Sequence, residues 1–363
     1  MSVIAMSARM LAFGLIVTVV AACGPRVHDD TAHQLTYASL YSHMHPFSRA
    51  DQRWIDHVEQ VSEGRLRIKP FWGGAVLSSE QNVLELKHGV ADIGMITPIY
   101  TRGGVPTIRA QGSFYSGVRT IEAQVATFAC MMRIEPLIER ELSGVRVLVV
   151  QGGNFPGVLT RHKPIRSLAD LSGLRLRAPS ESFGVLRRLG ADPVNLPMGE
   201  VYSALAKGVI DGVVTPADAL RSMHFAEVGA YFTKVRFSRG AYPARAISDS
   251  AWKRLPDDLK TIIDSSRAVW QVALIEEISK AEQVGLDFAL EKRLDVLEFP
   301  ADQQQLFDAE FASSAREHAA GLARLGIDGL AILGKAQSLV ARSNDGTLHS
   351  CNWPLTGIAD SPR

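Results

Sequence analysis

Two arginines offer the most specific chemistry in this chain. The run LRLRAP, residues 174–179, alternates Leu174 and Leu176 with Arg175 and Arg177, and alternation at period two puts like residues on one face of a strand. A planar guanidinium presents two parallel N–H donors to a carboxylate, giving orientation as well as attraction, which a lysine ammonium does not. Exposed arginine is the common case, so spacing alone leaves each of the two open between solvent and an acidic ligand.

Other chemical signatures carry less. His43 and His45 flank Met44, but no second pair of donors stands nearby to complete a metal site; hydrogen bonding at a strand end, or contact with a ligand, is the better reading. GLAILGKA, residues 329–336, has the glycine and lysine spacing of a phosphate loop, yet Ala336 replaces the hydroxyl that should hold magnesium and no strand precedes it. GxSxG and HExxH are absent, the carboxylates are scattered, and no cofactor is implied. A periplasmic enzyme stays open only through groups that the fold would bring together.

Lys and Arg number 39 against 38 Asp and Glu, a formal charge of +1, so no cationic field is available for a nucleic-acid backbone or an anionic membrane surface. With 363 residues, 46% hydrophobic and 21% charged, the composition is that of a globular chain long enough for two domains. Residues 1–22, with Arg9 as their one charge and an apolar run from Met10 to Val20, read as a signal peptide. VAAC, ending at Cys23, is similar to a bacterial lipobox: Cys23 would then carry lipid, with residues 23–34 as a tether, whereas plain signal-peptidase cleavage near Ala22 would leave it unmodified. Cys130 and Cys351 remain. They fit a bridge in an oxidising compartment, or a buried thiol and an unrelated tail cysteine, and their distance is not legible from the chain.

The elements that must position these groups alternate. Strands are expected at 35–41, 65–71, 91–100, 145–151, 158–162, 174–179 and 192–197, and residues 199–220 read as a helix, a tight turn at Asp211 and Gly212 and a buried strand. Helices are expected at about 49–63, 79–89, 119–142, 180–190, 257–292 with an interruption near Gly285, and 302–325. Strand and helix in alternation predict an α/β protein, and residues 341–363 read as a loosely packed tail.

Gly173–Pro216, GLRLRAPSESFGVLRRLGADPVNLPMGEVYSALAKGVIDGVVTP, resembles the most characteristic stretch of the substrate-binding proteins of TRAP (tripartite ATP-independent periplasmic) transporters. HPF at 45–47, SEGRLRIKPFWGGAVLSSEQ at 62–81, KHGVADIGM at 87–95, HKPIRSLADLSG at 162–173 and SDSAWKRLPDDLK at 248–260 are similar to further blocks of that family. The resemblance covers about residues 35–330. It implies a bilobal periplasmic binding protein fold: two α/β lobes joined by hinge strands and a long helix, lobe I from 35–154 plus 243–282 and lobe II from 155–242 plus 283–340.

The same resemblance implies a periplasmic, lipid-anchored receptor that captures a small organic carboxylate. It would pass the ligand to membrane permease subunits, touch the membrane through its lipid alone, and catalyse no reaction. Input to a sensor kinase is the other role open to such a receptor. Arg177 falls where the family's carboxylate-pairing arginine stands. By position, Tyr41, Thr97, Tyr100, Ser180, Met198 and Thr215 are further ligand-contact candidates, and Arg175 is left unassigned. The family's frequent DGQENP reads Asp211 to Pro216 with Val213 and Val214 here, and its frequent second arginine falls at Gly157. Both departures favour a monocarboxylate with an apolar body over a polyhydroxylated acid, because valine cannot satisfy a hydroxyl that has lost its water.

Overall fold

The helix Pro46–Val61 shows how local sequence builds the frame. Proline at its first position needs no N–H partner, and His45 caps it, its Nδ1 accepting from the Phe47 N–H at 3.2 Å. Ala50, Trp54, Ile55 and Val58 recur at helical spacing on the buried face. Trp54 stacks on Trp270 with centroids 3.8 Å apart and donates to Ser266 Oγ at 2.8 Å. Further along, Pro136 ends the expected helix 119–142: the chain forms Ile121–Ile134, then restarts as Pro136–Glu141, since proline cannot continue a helical hydrogen-bond ladder.

The computed structural model describes residues 32–101, 103–348 and 351. The expected signal peptide, Cys23 and most of the tether lie outside them. Strands β1 (His33–Ala38), β2 (Leu66–Phe71), β3 (Ile93–Met95) and β4 (Val145–Gln151) come first along the chain. β5 (Gly157–Thr160), β6 (Arg175–Arg177), β7 (Asp192–Val194), β8 (Gly212–Thr215) and β9 (Tyr231–Lys234) follow, then β10 (Tyr242–Ser248) and β11 (Asp295–Glu298). They form two sheets, ordered β2-β1-β3-β10-β4 and β11-β9-β5-β8-β6-β7. β1, β2 and β3 run parallel, and β10 lies antiparallel between β3 and β4. In the second sheet β5 is antiparallel to β8 and β9, whereas β6, β7 and β8 are parallel.

Each sheet is the centre of one lobe. The chain passes between them at 152–156 and again at 235–241. A 35-residue helix, Asp257–Glu291, about 50 Å long at helical rise, buries Trp270, Leu274 and Ile278 in the first lobe and Ala289 in the second. It runs unbroken through Gly285. A Cβ there would lie 2.0 Å from the Ala217 carbonyl oxygen, so the glycine marks a close approach of helix to backbone and not an interruption.

Two boundaries differ from the expectation. Residues 283–340 do not all belong with the second sheet: the helix Gly329–Asn344 places Ile332, Leu333, Ala336, Leu339 and Val340 in the first lobe's core beside Val125 and Phe128, because its apolar stripe finds its partner there. The tail is not loose from 341 onward either, since that helix runs to Asn344 and Cys351 bonds Cys130 across a separation of 221 residues. Of the two readings open for these cysteines, the structure has the bridge.

Candidate functional site

A cavity of about 100 Å³ lies where the lobes face each other, bordered by both chain crossings and the long helix. It shares Tyr41, His45, Tyr100, Met198 and Met223 with a wider cleft of about 820 Å³. In open α/β sheets ligands settle outside the carboxyl ends of the strands. Here β6 and β8 end at Arg177 and Thr215, and both residues line the cavity.

Along β6, Leu176 is fully buried in the core of its lobe and Arg177 is 3% exposed. Arg175 is exposed instead, with its Nε 3.6 Å from Asp192. Arg177 donates from Nε to the Leu196 carbonyl at 2.9 Å and from Nη2 to the Tyr100 hydroxyl at 2.9 Å. Tyr100 stands in the turn after β3, so the second contact crosses from one lobe to the other. Of the five N–H groups of a guanidinium, three remain without an acceptor among the described residues. Two of those are on Nη1 and one on Nη2, donors of the kind that a carboxylate accepts.

The other walls are drier. Tyr41 stacks on His45 with centroids 4.1 Å apart, and burial pushes its hydroxyl well above the ordinary tyrosine range. Burial, together with the nearby Arg245 and Arg49, lowers His45 to about 3, so its imidazole is neutral and free to accept from the Phe47 N–H. Tyr242 accepts from Gln151 Nε2 at 2.7 Å and is raised by burial to about 12. Phe47, Ile108, Val214, Phe237 and Ile278 supply apolar surface.

Arg177, Tyr41, Tyr100, Met198 and Thr215 thus meet around one space. Thr97 does not join them: it is buried and engaged with Asn82, donating its N–H to Oδ1 at 2.9 Å and sharing a 2.7 Å contact with Nδ2. Ser180 is also outside the wall, which takes its neighbours Pro179, Glu181 and Ser182. At Gly157 a Cβ would meet the Thr233 carbonyl oxygen at 2.5 Å and the Phe232 ring at 2.9 Å, so that position has no room for an arginine. A second guanidinium comes instead from Arg239, in the crossing between β9 and β10, which donates from Nη1 to the Asn154 carbonyl at 3.1 Å.

Sequence reasoning missed Arg239, Asn154, Glu181 and Asp218, all in the wall. Burial raises both carboxyl groups above their ordinary range. Nothing in the local sequence marks them, because each reaches the cleft from a different crossing or turn. Among the described residues no group of three or more His, Cys, Asp or Glu could hold a metal ion, and no helix is long and apolar enough to cross a membrane.

A family model of bacterial extracellular solute-binding proteins, family 7, matches residues 37–321. A solute-binding protein of Roseobacter denitrificans is 34% identical over 118 residues, 32% of this chain and 36% of that protein. A monocarboxylate 2-oxoacid-binding periplasmic protein of Nostoc is 25% identical over 231 residues, 61% of each chain. The match thus spans about a third of the first relative's length and three fifths of the second's. Among solved structures, a TRAP solute-binding protein of Rhodoferax ferrireducens, in complex with copurified benzoate, is 25% identical with a TM-score of 0.77, covering 87% of this chain and 99% of that one. A marine-metagenome TRAP solute-binding protein specific for aromatic acid ligands has a TM-score of 0.78 at 24% identity, covering 86% and 99%; at that identity the likeness concerns the fold.

Proposed function

The chain belongs to the bacterial extracellular solute-binding proteins of family 7, and on that premise we propose that it is the receptor of a TRAP-type importer, taking up a small monocarboxylate with an apolar body and handing it to membrane permease subunits. The observation that carries this reading is Arg177: a guanidinium 3% exposed in the cavity between the lobes, with three N–H groups unused among the described residues. Burying a charge without a counter-ion is costly. A ligand carboxylate supplies the counter-ion, and closure of the lobes around it adds the contacts that populate the closed state. Tyr100 joins Arg177 across the cleft and helps to orient its guanidinium.

Apolar walls suit an aromatic or short aliphatic body. The benzoate complex of the Rhodoferax protein and the 2-oxoacid name of the Nostoc relative support this class. The test is calorimetric titration of the protein with benzoate and with pyruvate, repeated on Arg177→Ala. Loss of the charge pair is expected to weaken the bound acid by about 2–5 kcal/mol, much of it from stranding the ligand's charge. Equal affinity in a folded Arg177→Ala protein would falsify the assignment.

Cys23, in its lipobox-like setting, is the proposed anchor, with residues 23–34 as a tether between lipid and lobe I. Palmitate labelling and membrane fractionation in a bacterial host test it: wild type is expected in the membrane fraction and Cys23→Ser in the soluble periplasmic one. Equal fractionation of the two removes the anchor from the account.

A further inference from the structure

The geometry points to a second recognition element in the cavity, formed by Asp218 and Asn154, that selects monocarboxylates bearing one hydroxyl group away from the acid. It rests on the reading of Arg177 as the carboxylate anchor and deepens it. Asp218 follows the turn after β8, lines the cavity and is 8% exposed. A carboxylate has about four acceptor positions. Among the described residues those of Asp218 receive one long contact, from Asn154 Nδ2 at 3.3 Å, besides its own backbone N–H. No Lys, Arg or His among the described residues is recorded within ion-pair distance of it, in contrast to the buried Asp51, which Arg245 clasps.

Asn154 is held in one orientation. Its Nδ2 donates to the Ile278 carbonyl at 2.8 Å, which turns Oδ1 away from that carbonyl and leaves it, among the described residues, an acceptor with no donor. Asp218 and Asn154 Oδ1 are thus two acceptors short of donors, and the wall here asks for one. It cannot take the acid group of the ligand, which Asp218 would repel.

A neutral hydroxyl fits this corner better than an ammonium. Arg239, fixed on the Asn154 carbonyl at 3.1 Å, lies close enough to lower the Asp218 carboxyl against the effect of burial, and a second cation would face that guanidinium. Val214, Phe237 and Ile278 offer nothing to further hydroxyls on their side of the cavity. The chamber of about 100 Å³ is smaller than the roughly 150 Å³ of an engineered cavity that holds benzene, so it has no room for more than a single ring or a short chain.

Titration of the full chain with matched acids tests this: benzoate against 3-hydroxybenzoate, phenylacetate against 3-hydroxyphenylacetate, butanoate against 4-hydroxybutanoate, and 3-(aminomethyl)benzoate as the cationic probe. At least one hydroxylated member is expected to bind tenfold or more tighter than its parent, since a site built to bond a hydroxyl rejects the analogue without it. In Asp218→Ala that ratio is expected to fall to about one to three, and Asp218→Asn, which keeps an acceptor, to give an intermediate ratio. Arg177→Ala is expected to weaken both members of a pair and leave their ratio, so loss of the anchor and loss of the hydroxyl corner read out separately. No preference in any pair, binding by no member of any pair, a preference for the ammonium probe, or a ratio unchanged in both Asp218 variants would each overturn the proposal.

Discussion

Arg245 and Arg177 are both nearly closed off from solvent, 0% and 3% exposed, and they are buried in opposite ways. Arg245, on β10 of the first lobe, grips Asp51 with Nε at 2.9 Å and Nη2 at 3.0 Å, and gives Nη1 to Gln151. Asp51 also accepts from Tyr37 and, at 2.8 Å, from Trp270 Nε1. Burial works against the Arg245 charge, but Asp51 and Tyr37 outweigh it and hold its pKa above the ordinary arginine value. Arg177, on β6 of the second lobe, touches a carbonyl and a phenol, neither of them charged, and among the described residues it has no recorded ion pair. A guanidinium whose counter-ion is built in belongs to the frame. One whose counter-ion is missing is poised for a ligand, and that lack of a partner, more than burial itself, separates the two.

Removing each guanidinium should therefore act on different quantities. Arg245→Ala strands Asp51 as a dry charge and is expected to cost about 3–5 kcal/mol in denaturant unfolding. Arg177→Ala removes a buried charge that has no recorded ion pair among the described residues, so its unfolding midpoint is expected to stay level or rise while affinity for the acid falls. Equal destabilisation by both substitutions would break the distinction and make Arg177 a second structural arginine.

The frame was far more legible in the sequence than the corner opposite Arg177. VRVLVVQ is β4 to the residue, because a continuous apolar run in an alternating α/β pattern has one physical reading. LRLRAP disclosed an arginine-bearing strand, but the period of two gives Arg175 and Arg177 the same face, and only the lobe closing over the carboxyl end of β6 makes one dry and the other wet. Family resemblance pointed to Arg177, which lines the cavity, and left Arg175 unassigned. It also brought in Thr97, whose polar groups the Asn82 side chain has already taken. Arg239 and Asn154 come from the two chain crossings and Asp218 from the turn after β8, a fact of tertiary structure with no local periodicity to betray it. Gly285 shows the opposite failure: a glycine in a helix reads the same whether it ends the helix or lets a neighbouring backbone approach, and the Ala217 carbonyl decides which.

The finest test of the comparison is two residues away from the anchor. Arg175 lies on the same strand with the same side-chain chemistry, yet it is exposed and its partner Asp192 is more exposed still, 54% and 69% by side chain. Water already screens both charges, so the pair returns little of the side-chain entropy spent on holding it, and exposed pairs contribute about 0–1 kcal/mol. Arg175→Ala is expected to shift unfolding by less than about 1 kcal/mol and to leave acid affinity where it was, read by the same titrations used for Arg177→Ala. A loss of affinity comparable with that of Arg177→Ala would mean that overall positive charge on the strand, felt through solvent, draws the ligand in. An unchanged affinity means that the contact itself does so, at a guanidinium that is dry, oriented by Leu196 and Tyr100, and without an anion of its own.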